Sequence, residues 1–193
     1  MPEGEVKNMK QKQSIRDMAY IALMAAVMAV CAWISVPVGD VPFTLQTLGV
    51  FCAVGLLGGK RGTITVLLYL LMGAVGLPVF SGFTGGPGRL LGVTGGDLIG
   101  FLFTGLTYWL VTVLAGGKMW NMALGMVLGC VVYYAFGTAW FMAVYARGSG
   151  PIGFGAAVMK CVAPYVVPDM VKIALALTLS RSVGRYLKTV RPA

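Results

Sequence analysis

The stretch DLIGFLFTGLTYWLVTVLA, residues 97–115, decides the fold. Its one carboxylate stands at the first position, no Lys or Arg follows, and the run is long enough to cross about 30 Å of hydrocarbon. Lipid offers no hydrogen bonds to a bare backbone, so a spanning segment is a helix or a strand of a closed barrel. The apolar residues here are continuous rather than alternating, which selects the helix.

Working outward, five further apolar segments appear, at about 17–36, 42–59, 62–77, 119–145 and 168–183. The chain has 193 residues, 58% hydrophobic and only 11% charged, a balance that excludes an ordinary soluble domain. The first segment follows a basic stretch, as in a signal peptide, but it is long and lacks a small-x-small cleavage site, so it reads as a retained span. Pro42 reads as a first-turn proline of the second span, and Pro168 as the start of the last.

Basic residues are distributed unequally. Lys7, Lys10, Lys12, Arg16, Lys60, Arg61, Lys118, Arg181, Arg185 and Lys188 fall on one side of a six-span layout, against Arg89, Arg147 and Lys160 on the other. The positive-inside rule then puts both termini in the cytoplasm. The expected architecture is an all-α membrane protein of six transmembrane helices (17–183), with basic tails at 1–16 and 184–193 and outward loops capping a ligand cavity. The net charge of +9 reads as topology and contact with the lipid bilayer, not as nucleic-acid binding. Cytoplasmic connections, Gly58–Gly62 and Gly116–Lys118, are bare turns. The outward ones, 37–41, 78–96 and 146–167, are longer, and 152–163 reads as a short helix at the outer surface.

Pro168-Asp169-Met170-Val171-Lys172 places a carboxylate and an ammonium three residues apart, on one face of the last span. A charge deep in a bilayer helix costs roughly 2.5–3.5 kcal/mol, so the pair is expected to face protein, water or a ligand. The plainer alternative is an ion pair hiding two charges near the interface, with Lys172 reaching outward.

Other candidates are less specific. The loop 81–97 is rich in glycine, which lets backbone approach a ligand closely, and carries Thr84, Arg89 and Thr94. It reads equally as a connector. No phosphate-cradle motif of the G-x-x-x-x-G-K-[ST] or G-x-G-x-x-G type is present. Thr44, Gln46 and Thr47 could line a cavity at the outer end of the second span, but on their own read as helix caps or interhelical hydrogen bonds. Tyr133 and Trp140 are seven apart and share a helix face, so one could line a cavity, whereas Tyr145 suits an interface belt. Ala19, Ala22, Ala25, Ala26 and Ala29 occupy one third of the first helix, and Gly55–Gly59 and Gly125–Gly129 repeat the small-x-x-x-small theme, all consistent with close packing inside the bundle. Cys31, Cys52, Cys130 and Cys161 are scattered, and histidine is absent, so no metal site or cofactor is expected.

Taken together, Val41-Pro-Phe-Thr-Leu-Gln-Thr-Leu48, Gly58-Gly-Lys-Arg-Gly62, Gly76-Leu-Pro-Val-Phe-Ser81, Thr94-Gly-Gly-Asp-Leu-Ile-Gly-Phe101 and Pro168-Asp-Met-Val-Lys172 resemble the BioY family. Its members are the biotin-specific substrate-binding (S) components of energy-coupling-factor transporters, and the likeness runs over about residues 14–182. The resemblance implies a protein that captures biotin outside the cell and works with a transmembrane coupling (T) subunit and two cytoplasmic ATPases. It implies that Asp169 and Lys172 are polar anchors of the ligand, with Thr44, Gln46, Tyr133, Trp140 and Tyr165 around them and Gly85, Gly86, Thr94, Gly95, Gly96 and Asp97 in the capping loop. It also assigns Ala22, Ala25, Ala26 and Ala29 to docking of the coupling subunit. Where the family usually reads Pro-Thr-Gly-Gly-Tyr, this chain has Val93-Thr-Gly-Gly-Asp97, replacing an aromatic by a carboxylate; Asp97 also suits a helix start.

Two other functions stay open on the residues alone. An autonomous carrier of biotin or a related small carboxylate could couple to ions through Asp97 and Asp169. An enzyme is disfavoured, because the sequence offers no nucleophile elbow and no metal-ligand cluster.

Overall fold

The computed structural model describes residues 3–37 and 41–189. These form α1 (Glu3–Trp33), α2 (Gln46–Leu57), α3 (Gly59–Ala74), α4 (Pro87–Leu91), α5 (Gly95–Ala115), α6 (Met119–Ser149), α7 (Phe154–Cys161) and α8 (Ala163–Thr189). Between α1 and α2 lies a short antiparallel hairpin, β1 (Ser35–Val36) and β2 (Phe43–Thr44), pairing Ser35 with Thr44 and Val36 with Phe43. Each apolar segment of the sequence corresponds to a helix, and α7 occupies the stretch read as a surface helix.

Among the described residues, four stretches are long and apolar enough to cross a membrane: Gln13–Trp33, Gly95–Ala115, Met119–Gly148 and Phe154–Val183. The second segment is a shorter helix than the sequence suggested. α2 has 12 residues, about 18 Å at 1.5 Å per residue, because Phe43 and Thr44 leave the helix to pair with β1. Pro42 therefore lies ahead of the hairpin strand rather than in the first turn of α2. Gly58, with φ 82°, turns the chain directly from α2 into α3.

Two helix limits also differ from expectation. Residues 3–16 continue α1 instead of forming a separate tail, since this Glu-, Lys- and Gln-rich stretch favours helix and contains no interior proline. The last helix starts at Ala163, so Pro168 stands inside α8. Pro164 occupies the first turn, where a missing N–H is harmless, and one more proline four residues on is tolerated. Asp169 and Lys172 thus lie a turn deeper in the helix than a start at Pro168 implied.

Close helix contacts depend on glycine. α5 and α6 form the most extensive pair: a Cβ on Gly125 would meet Tyr108 at 3.1 Å, and one on Gly129 would meet Thr104 at 2.8 Å. Thr104 Oγ1 donates across this contact to the Gly129 carbonyl at 3.0 Å. Gly62 packs so tightly on α2 that a Cβ would lie 2.5 Å from Val54 Cα. Tyr69, Tyr108, Phe51, Phe80 and Met126 fill the middle of the bundle. At one end Arg61 reaches Asp17 at 2.7 Å, joining the α2–α3 turn to α1. At the other, Trp33 Nε1 donates to the Pro78 carbonyl at 2.8 Å, and its ring stacks on Phe83 with centroids 4.9 Å apart.

Backbone contact of this kind leaves no room to relax. Gly62→Ala is expected to lower unfolding stability in detergent by about 1–3 kcal/mol through overpacking. Gly117→Ala, where a Cβ meets nothing within 4 Å, should leave the melting temperature unchanged.

Candidate functional site

α8 carries Asp169 and Lys172 into the interior, with only 1% and 5% of their surfaces exposed. Lys172 Nζ donates to Asp169 Oδ1 at 2.9 Å, Thr47 Oγ1 at 2.8 Å and the Thr44 carbonyl at 2.7 Å. All three ammonium donors are therefore used. Thr47 Oγ1 in turn donates to Asp169 Oδ1 at 2.9 Å. The second carboxylate oxygen, Oδ2, accepts from Tyr134 at 2.6 Å and from Tyr133. Asp169 thus takes four hydrogen bonds, two on each oxygen. The ammonium also lies 4.6 Å from the centroid of the Phe43 ring, a cation–π arrangement.

Three elements bring these neighbours in. The hairpin and the start of α2 supply Phe43, Thr44 and Thr47; Thr44 Oγ1 also accepts the Gln46 backbone N–H at 3.3 Å. α6 supplies Tyr133 and Tyr134. The network consequently clamps α8 to α2 and to α6, and the ion pair is stable in a buried setting because every polar atom has a partner.

Beside it lies a cavity that opens at its mouth to the surface of the bundle. Of the residues expected at a ligand site, Thr44, Gln46, Thr94, Asp97, Tyr133, Tyr165, Asp169 and Lys172 line it. Gln46 Nε2 donates to Tyr69 Oη at 2.6 Å, and Tyr69 in turn to the Val79 carbonyl at 2.9 Å, fixing the wall between α2 and α3. Tyr165 donates to the Val41 carbonyl and faces Phe43 with ring centroids 6.5 Å apart. Arg89, from α4, donates to Ser81 Oγ at 3.1 Å, and both residues line the cavity.

Gly85, Gly86, Gly95, Gly96 and Trp140 are not part of that lining. They shape the loop instead. Gly86, at φ 93°, donates its N–H to the Gly73 carbonyl at 2.7 Å. Trp140 Nε1 donates to the Gly92 carbonyl at 3.0 Å, and its ring packs against Gly96. On α1, Ala25 and Ala29 are buried in the core with Met24 and Met28, so they offer no outer surface, whereas Ala22 and Ala26 are exposed. Small residues face inward and outward here because the helix packs closely on α2, where a Cβ on Gly49 would touch Met28 Cα at 3.1 Å.

Sequence reasoning weighed Thr47 as a cavity residue but preferred a cap or an interhelical bond, and it passed over Tyr134. Adjacent helix residues do not share a face, yet the long Tyr133 and Tyr134 side chains converge on one carboxylate oxygen. Ser81, Leu98 and Phe101 of the cavity wall carried no signal apart from the family likeness.

Residues 8–189 match the model of the BioY family. The chain is 38% identical over 166 residues to the "Probable biotin transporter BioY" of Pyrococcus horikoshii, covering 86% of this chain and 94% of that protein. It is 36% identical over 169 residues to the "Biotin transporter BioY" of Thermotoga maritima, with the same coverage. In structure it resembles the S-component for biotin from an ECF-type ABC transporter, with TM-score 0.79, 26% identity and coverage of 90% of this chain and 93% of that one. A second S component, of a bacterial ECF transporter, shares the fold at TM-score 0.51 and 13% identity.

Removing one member of the buried pair strands the other charge. Lys172→Met alone should destabilise the protein by about 3–5 kcal/mol. Combined with Asp169→Asn it should lose less than the sum of the two single changes, as read by equilibrium unfolding in detergent.

Proposed function

The chain belongs to the BioY family, and from that premise we propose that it is the biotin-capturing S component of an energy-coupling-factor importer. The observation that carries this reading is the cavity bounded by the Asp169–Lys172 network. Biotin has N–H donors and a carbonyl at its ureido end, a carboxylate at the other, and an apolar body between. A cavity with apolar walls (Phe80, Leu98, Phe101) and charged groups at separate points suits that shape.

Asp169 and Lys172 anchor the ligand by exchange. Their hydrogen bonds are complete within the protein, so a ligand oxygen reaches Lys172 Nζ by displacing a neutral acceptor such as the Thr44 carbonyl. A bond to a carboxylate is the stronger of the two, which gives the exchange its driving force. Thr44, Gln46, Thr94, Asp97, Tyr133 and Tyr165 complete the wall.

In this reading α1, α2, α3, α5, α6 and α8 span the cell membrane with both termini in the cytoplasm. The bilayer thins or the helices shift to accommodate the short α2 and α3. The hairpin, α4 and α7 then form the outer cap. The sequence carries no phosphate-cradle motif, so energy for release comes from separate coupling and ATPase subunits. The exposed Ala22 and Ala26 on α1 form the close-approach surface for the coupling subunit.

Calorimetry with biotin on monodisperse, detergent-purified protein tests the site. Asp169→Asn and Lys172→Ala should each weaken binding at least about tenfold; affinity like the wild type in both would remove the site from this cavity. The double substitution Ala22→Leu/Ala26→Leu should leave biotin affinity intact and abolish co-purification with the coupling and ATPase subunits. Retained assembly would contradict the docking surface.

A further inference from the structure

The wall of the cavity holds two carboxylates in very different states. Asp169 accepts four hydrogen bonds from Thr47, Lys172, Tyr133 and Tyr134. Asp97, in the first turn of α5, lines the same cavity with no hydrogen-bond or ion-pair partner among the described residues. Thr94, at the cap position of that helix, makes no side-chain capping bond either, so Asp97 is not engaged in a reciprocal cap.

The position of this carboxylate is built in. Its Oδ1 rests over Gly137 of α6, 2.1 Å from where a Cβ would stand. The glycine gives the oxygen room at the α5–α6 contact, and that close contact holds the α5 backbone that carries it. A partly buried carboxylate without a donor is an unfavourable arrangement, and the cavity is where a donor can arrive.

Resting on the biotin reading above, we propose that Asp97 is the residue that receives the N–H-bearing end of the ligand and so selects for ligands with a donor there. The ligand's carboxylate is repelled at Asp97, which sets the orientation: ureido end toward the start of α5, carboxylate away from it. Asp169 meets the ligand only by exchanging one of its four hydrogen bonds, whereas Asp97 has its acceptor positions open. The distinguishing property is charge. A negative group that contacts the ureido end favours a cationic replacement of that end over the neutral one.

The test compares biotin with 2-iminobiotin, in which a guanidinium of nearly the same shape replaces the urea, at a pH where the guanidinium is protonated. Binding of both is measured by calorimetry on the full chain, for the wild type, Asp97→Asn, Asp97→Ser and Asp97→Glu. The neutral variants are expected to weaken biotin about tenfold, as for loss of a charge-assisted hydrogen bond. They should weaken the cationic analogue at least tenfold more, while Asp97→Glu keeps the wild-type ratio of the two affinities. An equal loss for both ligands, or no loss in either neutral variant, overturns the assignment while leaving the biotin reading intact. A wild-type chain that binds neither ligand overturns both together.

Discussion

A carboxylate and an ammonium on consecutive turns of α8 must be kept from lipid, and most of the distinctive structure around them follows from that requirement. Each charge would cost several kcal/mol if left uncompensated in a bilayer. Their mutual attraction does not by itself repay desolvation; the remaining lone pairs and protons need partners too. Thr44, Thr47, Tyr133 and Tyr134 supply them. The hairpin and the short α2 exist in a form that brings the Thr44 carbonyl and the Thr47 hydroxyl to Lys172, and α6 is rotated so that two tyrosines reach Asp169.

The same compensation produces a rigid wall. Because the network ties α8 to both α2 and α6, the cavity beside it is bounded by elements whose relative positions are fixed by charge-assisted hydrogen bonds, the strong class of such bonds. Glycines at the α5–α6 contact fix the opposite side. The connection 78–96 is held beside the cavity through bonds of its own, from Arg89 to Ser81 and from Trp140 to Gly92.

Much of this was legible in the sequence, for reasons that differ by level. Apolar length located the helices, because a membrane leaves few alternatives to a spanning helix. The Asp169–Lys172 pair stood out because intramembrane charges are rare. Helix limits were less accurate: prolines 42 and 168 were read as helix starts, yet one precedes a strand and the other lies inside α8 beyond Pro164. Glycine-rich motifs such as Gly85-Gly86 and Gly95-Gly96 look alike whether they touch a ligand or only permit a turn; in the structure Gly86 takes a positive φ and Gly96 packs under the Trp140 ring. The alanine face of α1 divides because helical periodicity gives an angle, not the direction of the core; Ala25 and Ala29 face inward, Ala22 and Ala26 outward. Tyr134 was hidden, and Thr47 could not be told from a helix cap, because their roles arise from convergence across three helices.

The most direct measurement of the central claim is a crystal structure of the chain with biotin bound. The account places the vitamin in the cavity between the Asp169–Lys172 network and the first turn of α5, in contact with Lys172 and bounded by Tyr133 and Thr44. Biotin found elsewhere, with this cavity filled only by water and the network unchanged, would contradict it.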